Sequence, residues 1–190
     1  LRPLPGIAFL LAVVALELAT DGARLVTPKL DRIAPDTRDE VAHSEVGRIA
    51  WSQGGGPLLE LPETARDGRD LRLDAMLAAL RHGLPLVDGF TGYLPSHAFA
   101  LNFRIRDLPK RKALGELVDL TRLRWILLRP SDDWPDPAEH RRFATALTAT
   151  PGIARFDVGD FVLFRVDLPQ TNPSWSEAVA SGQGIGRLPI

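Results

Sequence analysis

The chain has 190 residues, of which 45% are hydrophobic and 25% charged, and a formal net charge of -1. That composition suits one folded domain plus an extension, and the charge balance offers no electrostatic ground for nucleic acid or an anionic membrane surface as a partner. The absence of cysteine excludes disulfides, thiolate catalysis and thiolate metal sites.

The first residue is leucine rather than methionine, which reads as a fragment or a processed product. Residues 5–18, "PGIAFLLAVVALEL", are apolar except for Glu17. The run falls short of the roughly 20 residues that cross a bilayer. One upstream arginine and no small-x-small cleavage site make a poor signal peptide. The expectation is therefore the end of a transmembrane helix over residues 1–20, whose upstream part lies outside the chain. Arg24, Lys29 and Arg32 follow it, a mild bias toward a cytoplasmic downstream side. Residues 21–37, with Pro28 and Pro35 and no periodicity, read as a linker.

The sequence then predicts an α/β domain over residues 38–168. A helix over residues 38–51 takes Val41, Val46, Ile49 and Ala50 as its apolar positions and ends at Gly54–Gly56. "PLLELP" follows as a short buried strand. In the next helix Asp70 is the cap, Leu73, Met76, Leu77 and Leu80 form the apolar stripe, and Gly83 is a left-handed stop. "LPLVDG" reads as a second strand. Residues 96–108 read as a short helix and a loop, and residues 112–120 as a helix. "RWILL" is the clearest strand, an unbroken apolar run typical of a parallel strand buried on both faces. Asp136 as N-cap, Pro137 at the first helical position and Glu139 start another helix, with Phe143, Ala144 and Leu147 as its stripe. "IARFDV" and "FVLFRV" then flank Gly159–Asp160, a two-residue loop suited to an antiparallel hairpin. Residues 169–190 read as a flexible tail. Strands alternating with helices predict a three-layer, mainly parallel sheet flanked by helices.

Chemistry-bearing residues are sparse. The glycine clusters at residues 54–56 and 182–186 do not follow a strand and open a helix, so they are not phosphate loops. His43, His82, His97 and His140 have no metal-ligand spacing. His140 reads as solvated, and His82 as a last-turn cation favoured by the helix dipole. Asp132, Asp133 and Trp134 read as a solvated loop. No nucleophile motif is present. Glu60 lies near the end of the first strand and Asp88 at the end of the second. Ligands of open parallel sheets gather beyond such ends, so Glu60, Asp88, Tyr93 and His97 are candidate substrate-binding residues. The alternative for Asp88 is a turn that caps its own backbone, with Gly89 and Gly92 at positive φ.

The order of "GPLLELP", "RHGLPLVDGFTGYLP", "LGELVDLTRLRWILLRP" and "GDFVLFRV" resembles the C-terminal extramembrane region of bacterial multi-pass membrane proteins of the glycosyltransferase C class. These are related to protein mannosyltransferases and arabinosyltransferases. In such proteins a glycine-rich segment like "N-G-Y-S-G-x-x-P" follows a His-containing helix end. Here Asp88 stands where asparagine is common, Phe90 where tyrosine is, and Thr91 where serine is. The resemblance implies a parent in the bacterial inner (plasma) membrane, with this domain on the extracytoplasmic, periplasmic side. It also implies a polyprenyl-phosphate sugar donor, a cell-envelope acceptor and the lipid bilayer as a partner; the residues themselves point to no metal or cofactor. It implies no catalytic residue in this chain, because the acidic residues such enzymes use sit in an early loop.

The leading expectation is thus an accessory domain that shapes the acceptor side and is not catalytic alone. One alternative is a membrane-tethered sugar- or peptide-binding module. Another is a soluble enzyme using Glu60 and Asp88 as an acid-base pair.

Overall fold

The computed structural model describes residues 37–87 and 96–172. The apolar run at residues 5–18, the linker before residue 37, Asp88, Gly89, Gly92 and Tyr93, and the tail beyond residue 172 lie outside the described residues. Among the described residues no helix is long and apolar enough to cross a membrane.

The described elements are α1 (Thr37–Ser52), β1 (Leu58–Leu61), α2 (Arg72–His82), α3 (Ser96–Arg106), α4 (Arg111–Thr121), β2 (Trp125–Leu128), α5 (Pro137–Thr148), β3 (Ile153–Val158) and β4 (Phe161–Val166). A single 3-10 turn, Ser131–Asp133, stands between β2 and α5. The fold is mixed α/β around a four-stranded sheet in the order β1-β2-β4-β3.

The sheet is mixed rather than mainly parallel. β1 and β2 run parallel, with Leu58 opposite Trp125 and Leu61 opposite Leu128. β4 then lies antiparallel to β2, and β3 antiparallel to β4, with Val158 opposite Phe161 across Gly159–Asp160. The expected second strand is reduced to one parallel bridge, Leu58 to Leu86. Its backbone bonds are Leu58 N donating to Pro85 O and Val87 N donating to Leu58 O, each 2.8 Å. Pro85 has no amide to donate, which limits ladder formation there.

Alternation along the strands divides the core in two. Leu59, Leu61, Ile126, Leu128, Phe164 and Val166 join one cluster with Leu101 and Ile105 of α3, Leu114 and Leu117 of α4, and Phe143 and Leu147 of α5. Leu58, Trp125, Leu127, Phe161 and Leu163 join the other with Val46 and Ala50 of α1. Every residue of β1 and β2 is buried, as a strand covered on both faces requires.

Local signals explain the helix ends. Asp136 accepts from Ala138 N at 2.8 Å and Pro137 opens α5, as the sequence predicts. Gly83 takes φ 69° and its amide donates to Ala79 O, closing α2. The expected cap of α2 is displaced: Leu71 is the N-cap and has no side-chain cap bond, while Asp70, one residue earlier, accepts from Arg72 N at 2.9 Å.

Two apolar stripes differ from expectation. On α1 the buried positions are His43, Val46, Gly47 and Ala50, while Val41 is exposed. On α2 the buried side is Ala75, Ala78 and His82; Leu73, Met76 and Leu80 face outward. Alanines allow close approach of α2 to its neighbours, and that packing overrides the leucine periodicity. Residues 96–106 form one helix instead of a short helix and a loop. Beyond Leu168 the chain is held as far as Asn172. Asp119 accepts from Thr171 N and from Thr171 Oγ1, both at 2.6 Å.

Candidate functional site: a buried carboxylate–histidine–arginine cluster

Glu60 is the charged residue in an otherwise apolar strand, "LLEL", and alternation turns it toward α1 with Leu58. Its side chain is 2% exposed. It therefore does not stand on an open rim. A buried carboxylate needs partners, and three elements supply them.

Arg129, the residue after β2, brings Nε within 2.7 Å of Glu60 Oε1. The parallel register carries it there: Leu61 is opposite Leu128, and Arg129 N donates to Leu61 O at 2.8 Å. The same guanidinium approaches Asp133 Oδ2 at 3.7 Å and Asp39 Oδ2 at 4.0 Å. Burial raises the Asp133 pKa, which Arg129 opposes and Asp39 reinforces.

His43, from the buried stripe of α1, places Nε2 3.4 Å from Glu60 Oε1. Its Nδ1 donates to Asp39 O at 2.6 Å. Burial opposes ionisation of Glu60, but the hydrogen bond to His43 and the charge of Arg129 outweigh it and hold its pKa below the ordinary value. Phe161 closes over the His43 ring, edge to face at 5.1 Å.

His82 ends α2 and is buried, its ring centroid 6.1 Å from that of His43. Its Nδ1 accepts from Leu84 N at 3.0 Å, which leaves the proton of the neutral ring on Nε2. Burial, with repulsion from His43, lowers its pKa to about 4 against the pull of Glu60. The expected role as a charged partner of the helix dipole is thus overturned. At neutral pH His82 is an uncharged acceptor that fixes the chain leaving α2. Glu60 Oε2 and His82 Nε2 are both buried without a hydrogen-bond partner among the described residues.

His140 is half-buried rather than solvated. It lies edge-on to Trp134 at 5.6 Å, and burial lowers its pKa. Trp134 is itself buried, donating from Nε1 to Arg129 O at 3.3 Å, so this side chain belongs to the core while Asp132 stays exposed.

Of the residues singled out from sequence, Glu60 is buried in this cluster, and His97 falls in the first turn of α3. Asp88 and Tyr93 lie outside the described residues. His43, His82 and Arg129 were not anticipated as Glu60's partners. One signal pointed to them: a carboxylate inside an apolar strand demands a buried cation, and "WILL" is followed at once by arginine. Among the described residues no group of three or more His, Asp or Glu is arranged to hold a metal ion. A shallow polar depression lies elsewhere, lined by Arg111, Lys112, Gly115, Glu116, Asp119, Thr171 and Asn172.

Chemically the cluster ties α1, β1, the end of α2 and the exit of β2 into one charge-compensated unit. No protein-family model, curated protein or solved structure matches this chain.

Proposed function

We propose that this chain is an accessory extracytoplasmic domain of a bacterial membrane glycosyltransferase that uses a polyprenyl-phosphate sugar donor. In this reading the domain shapes the acceptor side and leaves bond-making to residues of the parent outside the chain.

The observation that carries the accessory role is the state of Glu60. Its carboxylate is enclosed by Arg129 and His43. A general acid or base must reach a substrate proton within hydrogen-bond distance, and a carboxylate held in this way serves the fold instead. This favours the accessory reading over an acid-base enzyme built on Glu60 and Asp88. The sugar-transfer assignment is supported by the resemblance. Its motifs coincide with fold-bearing elements: "GPLLELP" with β1, "LGELVDLTRLRWILLRP" with α4 and β2, and "GDFVLFRV" with β4.

The test is sugar transfer in membranes. Membranes holding the whole gene product are expected to transfer sugar from a polyprenyl-phosphate donor, and the 190-residue chain alone is not. Turnover by the chain alone overturns the accessory role. Sugar or peptide binding with no transfer by the whole product favours the tethered binding module.

A further inference from the structure

α3 and α4 pack together and are joined by a short turn at Pro109. Their inner faces, Leu101, Ile105 and Leu108 of the first arm and Ala113, Leu114 and Leu117 of the second, belong to the core. Their outer faces form a corner with an unusual charge content. Arg104, Arg106, Lys110, Arg111 and Lys112 stand there against Asp107 and Glu116, an excess of three positive charges on a chain whose total is -1. The rest of the sequence therefore carries four more acidic than basic groups, so the positive excess is a local property of this stretch and not of the chain.

The corner is one continuous surface. Arg104 of α3 pairs with Glu116 of α4, and Lys112 reaches the same carboxylate at 3.9 Å. Lys110 Nζ lies 2.6 Å from Asp107 Oδ1 across the turn. The two lysine pairs are weak and leave their ammonium groups presented to solvent. Arg106 and Arg111 are exposed and make no ion pair among the described residues. Beside them Phe103 is 61% exposed, one helical turn from Arg106 and Asp107.

We infer that this α3–α4 corner is a docking surface for an anionic phospholipid bilayer, with Arg106, Lys110, Arg111 and Lys112 meeting headgroup phosphates and Phe103 entering the interfacial layer. Clustered Lys and Arg attract an anionic leaflet additively and within a Debye length. An exposed aromatic next to them matches the polar-apolar boundary of a membrane surface. A single-stranded nucleic acid would stack successive bases on several aromatic rings along a basic groove, whereas among the described residues this corner presents one exposed ring. The inference rests on these residues and not on the sugar-transfer reading.

The experiment is vesicle co-sedimentation of the full chain. The parent is compared with Arg106→Glu/Arg111→Glu/Lys112→Glu and with Phe103→Ser. The vesicles are phosphatidylcholine alone or mixed with phosphatidylglycerol. All of these proteins keep residues 5–18, so any insertion by that apolar run is common to every arm. The parent is expected to partition about tenfold or more in favour of the anionic vesicles at low salt. That preference should vanish in the charge-reversed protein and in about half-molar salt. Phe103→Ser should weaken binding to the anionic vesicles a few-fold. Circular dichroism of each variant, with Arg106→Gln/Arg111→Gln as a milder substitution, separates lost docking from lost fold. Equal partition of the parent onto both vesicle types overturns the inference. So does a folded charge-reversed protein that binds like the parent. A parent that ignores vesicles but binds RNA overturns the lipid assignment.

Discussion

Glu60 and Arg129 face each other at 2.7 Å with side chains 2% and 4% exposed, a buried ion pair at the parallel β1–β2 seam. Removing one member of such a pair leaves an uncompensated buried charge and typically costs about 3–5 kcal/mol, whereas replacing both by apolar groups is far milder. Arg129→Met is expected to lower unfolding stability by about 3 kcal/mol or more. Glu60→Leu/Arg129→Met is expected to lower it by clearly less than the sum of the two single changes. Urea unfolding followed by the fluorescence of the buried Trp125 and Trp134 measures both. Additive single effects would mean that the two side chains do not depend on each other.

The same cluster sets an acid limit on stability. His82 has a folded-state pKa of about 4, below its ordinary 6.5, so the unfolded chain binds the proton first. Stability is complete above pH 6.5 and declines between there and about 4, by up to about 3 kcal/mol. Glu60, held below its ordinary value, contributes stability that is present above that value and lost as pH falls through the lowered one. Both effects have the same sign, and the His82 decline begins at higher pH. His82→Asn keeps an acceptor near the Leu84 amide without the titration, and should flatten the stability profile between pH 6.5 and 5. An unchanged profile in that variant would assign the decline to another group.

Gly47 and Gly115 make opposite predictions from one substitution. A Cβ on Gly47 would lie 2.8 Å from His82 Cα and 2.9 Å from His82 O, so α1 and the end of α2 would have to part. Gly47→Ala should destabilise by about 1–3 kcal/mol despite the better helix propensity of alanine. A Cβ on Gly115, within α4, meets nothing within 4 Å. Gly115→Ala should stabilise by about 0.5–1 kcal/mol. Urea midpoints that shift in the same direction for both would refute the packing argument.

Asp119 holds the chain after β4 through Thr171 N and Oγ1, with Asn172 Nδ2 at 3.4 Å. Burial works against the carboxylate, yet these donors keep its pKa below the ordinary range. Asp119→Ala should release the segment at residues 169–172, which hydrogen exchange at the Thr171 amide reads as faster exchange. The sheet amides should keep their protection, because the lost bonds lie outside the ladder.

Much of the framework is legible because it depends on local chemistry. The apolar runs of β1 and β2, the Asp136–Pro137 start of α5 and the Gly83 stop of α2 each have a near-neighbour cause. The facing of α2 is not legible. Leu73, Met76 and Leu80 make the stronger stripe, but the alanine side permits closer packing, and only the partners of the helix decide between them. The cluster is legible by halves. Glu60 within "LLEL" announces a need for a cation, while its answer comes from Arg129 and His43, brought together by strand register and by α1. The mixed sheet was hidden for a similar reason. Nothing within β4 says whether it inserts beside β2 or stays outside β3.

The strand order leaves β3 on the border of the sheet, with backbone groups on one side free of any ladder partner among the described residues. Such a border invites another chain to add a strand. Arg155 and Asp157 are exposed along it, 2.7 Å apart. Any intruding strand would have to bring its own side chains against this ion pair and strip it of water. Crowded together, copies of the domain therefore meet along this border with a built-in deterrent to aggregation.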